Sequence, residues 1–195
     1  MTTVLYFTLF LCLKQSVSST PCESPSVEDV VTDITPLEIR VGKIVEISKH
    51  PEADKLYIEK IDCGEESGPR TIVSGLVPYC SEADLLHRKV IVLCNLKPRP
   101  LVGVLSHGMV LCASDTAHTR VDPLTPPEHA KIGELVHFKG HVCDPKPPGN
   151  AAVKAFKRVA DKLFSNDEGV ATYDGSPFMT ETGPCTSHIT NGKVS

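Results

Sequence analysis

A surplus of positive charge is the first thing this sequence lacks. Twenty Lys and Arg face 24 Asp and Glu across 195 residues, a net charge of −4, which excludes a strongly basic protein that would coat any polyanion it met. Aromatic residues reach only 5% and tryptophan is absent. No CxxC pair occurs among the eight cysteines. Cys63, Cys94 and Cys112 sit in or beside apolar, strand-like runs, so reduced thiols in a cytosolic type of compartment are expected rather than four disulfides. A P-loop is missing, as is any GxGxxG after a strand, so nucleoside-triphosphate and dinucleotide chemistry have no support. The segment "GVLSHGM", Gly103 to Met109, reads G-x-x-S-x-G. That is one residue too long for a nucleophile elbow and is expected to be a turn between strands.

Long apolar runs are also scarce. The longest at the amino terminus, Val4 to Leu13, is too short to cross a bilayer but long enough for a signal-peptide core. Val17 and Ser19 are small enough for a cleavage site, yet no Lys or Arg precedes the run. A transit peptide and a start that carries no address are the competing readings. Ser16 to Asp33, with Pro21 and Pro25, reads as a disordered linker.

Proline and glycine, by contrast, are plentiful. Sixteen prolines and 13 glycines are spread along the chain and divide it into short segments, which points to a mainly β architecture. "LEIRVGKIVEISKHP" alternates imperfectly through Ile39, Val41, Ile44 and Ile47, with Gly42 expected at a bulge or tight bend. "KLYIEKIDCG" offers Leu56, Ile58 and Ile61 as its apolar positions, after a turn in which Asp54 is the expected side-chain cap. A Gly64 to Gly68 turn, with Glu65 and Glu66 expected to be solvated, leads into "RTIVSGL". A short helical stretch around Ser81 to His87 precedes "RKVIVLCNL", a run suited to burial on both faces. "HGMVLCAS" is the expected fifth strand. Five short strands with one intervening helix is the order of an OB-type barrel.

The carboxyl-terminal part has a different rhythm. Asn150 is the expected cap of a helix over "AAVKAFKRVADKLF", whose apolar stripe is Val153, Phe156, Ala160, Leu163 and Phe164. Its other side carries Lys154, Lys157, Arg158 and Lys162, of which Lys154, Arg158 and Lys162 recur every fourth residue. His137, His141 and Cys143 are metal-type ligands in a short span but lack a fourth, so neither a metal nor any other cofactor is expected.

"RVGKIVEISKHPEADKLYIEKIDCG", "RTIVSGLV", "VIVLCNLKPR" and "GVLSHGMVLCAS" together resemble the successive blocks of the tRNA-binding domain of the endothelial monocyte-activating polypeptide II type. The resemblance runs from about Ile34 to the carboxyl end. It implies 34–140 as a five-stranded OB-fold barrel and 141–195 as an extension packed on it, which favours a monomer; residues 1–33, the apolar segment and linker read above, precede the barrel. It further implies an auxiliary module, not an enzyme, that holds tRNA for an aminoacyl-tRNA synthetase or a multisynthetase complex in the cytoplasm. The sequence contains neither HIGH nor KMSKS, the signatures of aminoacylation. A secreted, cytokine-like signalling protein is the alternative within the same family, whose active heptapeptide corresponds to Arg40 to Glu46.

The residues implied for RNA contact fall in four places. Arg40 and Lys43 lie on the first strand and Lys55 begins the second. Asn95, Lys97 and Arg99 occupy the "NLKPR" loop, stiffened by Pro98 and Pro100. Ser106, His107 and Met109 form the SxGM-like block. Lys154, Lys157, Arg158 and Lys162 supply the helix. Two departures lower the expected affinity: Leu101 and Val102 stand where the family commonly has a basic residue, and "DPKPPGN" replaces a compact lysine run. Net charge hides this clustering. Residues before Ile34 hold Lys14 against Glu23, Glu28, Asp29 and Asp33, which leaves 19 bases and 20 acids for the rest.

Overall fold

The computed structural model describes residues 33–195; the apolar amino-terminal run and most of the linker expected above lie outside the described residues. The chain then forms β1 (Ile39–His50), β2 (Ala53–Asp62), β3 (Arg70–Ser74), α1 (Glu82–Leu85), β4 (Lys89–Leu93), β5 (Arg99–Leu101), β6 (Val104–Ser106), β7 (Met109–Val110), β8 (Cys112–Ser114) and β9 (Val121–Pro123). After a long irregular segment come α2 (Asn150–Val159), a 3-10 turn (Ala160–Lys162), β10 (Leu163–Ser165), β11 (Ala171–Tyr173), β12 (Ser176–Pro177), β13 (Met179–Thr180), β14 (Gly183–Pro184) and β15 (Lys193–Val194). None of these helices is long and apolar enough to cross a membrane.

The OB-type barrel is a five-stranded antiparallel sheet in the order β3-β2-β1-β4-β7. Its two edges meet at a seam held by single contacts: the His107 amide donates to the Thr71 carbonyl at 2.9 Å, and the Val73 amide donates to Ser106 Oγ at 3.0 Å. The expected fifth strand is split. Met109–Val110 pairs with β4, whereas Cys112–Ser114 leaves the barrel and joins a second sheet, β12-β11-β10-β15-β8-β9. That sheet ties the extension to the barrel.

Two cores result, one on each side of β4. Val90 and Val92 point into the barrel with Ile44, Tyr57, Ile61, Ile72 and Leu85. Ile91 and Leu93 point out, beneath α2 and the carboxyl-terminal strands, among Ala155, Val159, Tyr173 and Phe178. A strand covered on both faces reads as a continuous apolar run because neither parity can be polar.

Several local expectations need correction. Gly42 is not a bulge: it pairs in register with Val90, and an added Cβ would lie 2.7 Å from Ile61 and 3.0 Å from Val92. Close approach of the barrel interior requires glycine there. The register shifts of β1 against β2 fall between Ile44 and Glu46 and between Lys49 and His50. On β2 the buried set is Tyr57, Glu59 and Ile61; Leu56 and Ile58 have the opposite parity to Ile61, so no single face could hold all three expected residues. The turn before β2 is capped by His50, whose Nδ1 accepts the Glu52 amide at 3.1 Å, while Asp54 stands exposed. Gly149, not Asn150, is the N-cap of α2. The helix is shorter than expected and buries Ala152, Ala155 and Val159, the small residues that let it approach the sheet. Leu163 and Phe164 belong to β10 instead, with Phe164 exposed.

The six described cysteines, Cys63, Cys80, Cys94, Cys112, Cys143 and Cys185, are free thiols. Among the described residues no three His, Cys, Asp or Glu side chains are grouped to hold a metal. His141 packs edge-on against Phe138 and Tyr173, and Cys143 is exposed.

Candidate nucleic-acid interface

The β4 strand ends in a residue that organises everything beside it. Asn95 is fully buried; its amide donates to the Pro36 carbonyl at 2.7 Å and the Lys146 carbonyl at 2.8 Å, and its Oδ1 accepts the Glu38 amide at 3.0 Å. Its own carbonyl accepts the Gly149 amide at 3.1 Å. All polar capacity of the side chain is directed inward, so the expected RNA contact by Asn95 is corrected to a clasp. It joins the end of β4 to the residue that starts α2, and thereby sets that helix beside the Leu96 to Pro98 loop.

From that clasp the chain runs into the β5–β6 hairpin, whose tip, Val102 and Gly103, has positive φ angles of 45° and 81°. Ser106 then returns to the barrel: it accepts the Val73 amide and donates to the Gly108 carbonyl at 3.1 Å. Only 4% of Ser106 is exposed, and both of these hydrogen bonds hold the seam. Gly108 follows because a Cβ would stand 2.9 Å from the Leu93 carbonyl.

The hairpin, the end of β3 and the flank of α2 enclose a groove of about 560 Å³. Its floor is apolar, with Leu76, Met109, Val110, Val153 and Phe156, and its rim carries Lys97, Arg99 and Lys157. All three cations are exposed. None of them meets an acid among the described residues. A second hollow of about 390 Å³ adjoins it at Leu96 and is lined by Arg70, Thr71, Pro98 and His107.

The structure therefore gathers some of the expected residues and disperses others. Lys97, Arg99, Ser106, Met109 and Lys157 line the groove, His107 the adjoining hollow. Lys154 is exposed one helical turn before Lys157. Arg40 is committed elsewhere: its Nε lies 2.6 Å from Glu38 and its Nη1 donates to the Gly133 carbonyl at 2.8 Å. Lys43 is half-buried in β1 between Asp62 and Lys89 in register, and Lys55 is exposed on β2; none of these three lines the groove. The expected stack of Lys154, Arg158 and Lys162 on one helix face does not form, because Lys162 lies in the 3-10 turn. Arg158 pairs with Asp33 at 2.6 Å and Lys162 with Asp174 at 3.1 Å.

Sequence reasoning missed Arg70. Its Nη1 donates to the carbonyls of Cys94 and His107, each at 2.6 Å, while Glu65 grips Nε at 2.9 Å and also Nη2. Glu65, expected to be solvated, is thus the partner that orients a guanidinium across the barrel seam. An acid and an arginine at the two ends of one short turn were the available signal.

Residues 39–135 match the family model described as "Putative tRNA binding domain". The chain is 44% identical over 182 residues to a probable methionine–tRNA ligase of Oryza sativa subsp. japonica, covering 93% of this chain and 22% of that protein. It is 40% identical over 155 residues to the aminoacyl tRNA synthase complex-interacting multifunctional protein 1 of Cricetulus griseus, covering 80% and 42% respectively. This chain thus spans less than half of each of these curated relatives. The crystal structure of the C-terminal domain of Plasmodium vivax p43 superposes with a TM-score of 0.77 at 36% identity, over 83% of this chain and 98% of that one.

Proposed function

The chain belongs to the family of tRNA-binding domains associated with aminoacyl-tRNA synthetases, and from that premise we propose that it is an auxiliary module that retains tRNA for a synthetase, largely without regard to sequence. The observation that carries this reading is the set of cations without an acidic partner among the described residues, Lys97, Arg99 and Lys157, on the rim of one groove with an apolar floor. Cations on such a rim engage phosphates and release counterions, and the floor accepts the faces of unstacked bases. Catalysis is not needed for this role. The module raises the local concentration of tRNA near a partner enzyme by tethering and steering.

The synthetase partner, the cytoplasmic setting and monomeric action are parts of the same proposal, suggested by the relatives and by the extension packed on the barrel. The secreted signalling alternative is less well supported. Its heptapeptide, Arg40 to Glu46, lies within β1 with Val41, Gly42 and Ile44 buried, and the curated relatives are synthetases and a synthetase-complex protein. Titration with unfractionated tRNA across a range of salt tests the lead. Three phosphate contacts predict a slope of log affinity on log salt of about −2. The Lys97→Ala, Arg99→Ala double variant should flatten it; absent binding at low salt, or an unchanged slope in the variant, contradicts the reading.

A further inference from the structure

The barrel interior holds an acid that the apolar core has no use for. Glu59 is fully buried, with Ile47 of β1 and Ile72 of β3 as its cross-strand partners. Its Oε1 accepts Ser74 Oγ at 2.8 Å. Its Oε2 is buried without any hydrogen-bond partner among the described residues. An ionised carboxylate held by one neutral donor in an apolar interior is strongly disfavoured, whereas the neutral acid is tolerated.

The neighbours supply no countercharge. The titratable groups that face Glu59 are Tyr57 on its own strand, Cys80 in the segment between β3 and α1, and Cys112 on β8. Burial raises all three, so each is neutral at physiological pH. No cation is paired with Glu59 among the described residues. Burial pushes its carboxyl up to about 7, against a lowering by the Ser74 hydrogen bond.

Glu59 is also one hydrogen bond away from the groove. Ser74 is the last residue of β3, and with Gly75 and Leu76 it forms the groove wall that shares the cavity with Lys97, Arg99 and Lys157. We infer that Glu59 is a proton-linked positioning residue: the hydrogen bond it accepts from Ser74 ties the β3 wall to the barrel interior, and a polyanion seated on the rim shifts its carboxyl toward the protonated form by drawing a proton from solvent. This rests on the RNA reading above. Phosphates near a low-dielectric interior disfavour a second negative charge beneath them, so the Glu59 proton is held more tightly in the complex. By linkage, the complex is then tighter at a pH where that proton is already in place, and affinity falls as pH rises through the Glu59 titration.

His107 is an ionisable side chain exposed beside the adjoining hollow, so the test must separate it from Glu59. In the free protein, carbon-detected NMR should show the Glu59 carboxyl titrating near neutrality, with the Ser74 and Gly75 amide resonances moving at the same midpoint. An ordinary glutamate midpoint, or amides that do not follow it, overturns the inference. For unfractionated tRNA, the wild-type affinity should fall about fivefold more between about pH 6 and about pH 8.5 than that of Glu59→Gln, and His107→Gln should keep most of that fall. Parallel profiles for wild type and Glu59→Gln would refute the linkage while leaving the RNA reading intact. Absence of tRNA binding at every pH would instead remove the RNA reading and the linkage with it, and the NMR midpoint would still decide whether Glu59 governs Ser74. Should Glu59→Gln not fold, Ser74→Ala serves. It removes the one donor to Glu59 among the described residues, so the carboxyl midpoint and the pH at which affinity falls should both move upward; a downward shift or none contradicts the assignment.

Discussion

The groove and the outer side of the extension carry the same kinds of residue in opposite states. At the groove Lys97, Arg99 and Lys157 project without acidic partners among the described residues. On the extension Arg158, Lys162 and Lys193 are each within 3.1 Å of a carboxylate, from Asp33, Asp174 and Asp161 in turn. Exposed pairs of that kind contribute little to stability, but they cancel local potential. A chain with a net charge of −4 can thereby keep one positive rim. What distinguishes a binding surface here is where the acids are absent.

The largest expected effect tests how the groove is held together. Asn95→Ala strands the Glu38 amide and the Pro36 and Lys146 carbonyls, and should cost about 3 kcal/mol in denaturant unfolding. It should also weaken tRNA binding although Asn95 touches no solvent. An unchanged midpoint would mean that the clasp does not set the helix beside the loop.

A comparable effect should follow pH. The folded pKa of Glu59, about 7, lies above its ordinary value of 4.5, so the folded state binds the extra proton between those limits. The Glu59 contribution to stability is therefore intact below pH 4.5 and is lost as pH rises toward about 7, by about 3 kcal/mol in all. Unfolding of wild type and Glu59→Gln, compared across that window, should show the loss in the wild type alone. A smaller effect belongs to Lys157→Ala, which removes one rim charge and should lower tRNA affinity about threefold at moderate salt, with no change in thermal midpoint.

Much of the barrel was legible because period-two alternation and turn residues act locally. β3, β4 and the short α1, capped reciprocally by Ser81 and Asp84, stand where the pattern puts them. The site was legible only as residue types. Whether Asn95 faces solvent depends on Pro36 and Lys146, 59 and 51 positions away. Whether Arg158 is available depends on Asp33, 125 positions away. No local spacing encodes such partners. Glu59 was hidden for a different reason: as a polar residue between two half-buried ones it reads as an outward position, and only the parity shared with Tyr57 and Ile61 places it inside.

The central contrast can be tested in one titration of unfractionated tRNA at a fixed moderate salt, comparing two double variants of equal charge change. Lys97→Ala with Arg99→Ala should reduce affinity about tenfold, and Arg158→Ala with Lys162→Ala less than about twofold. Equal losses from the two pairs, or a larger loss from the paired cations of the extension, would contradict the assignment of the interface to the groove.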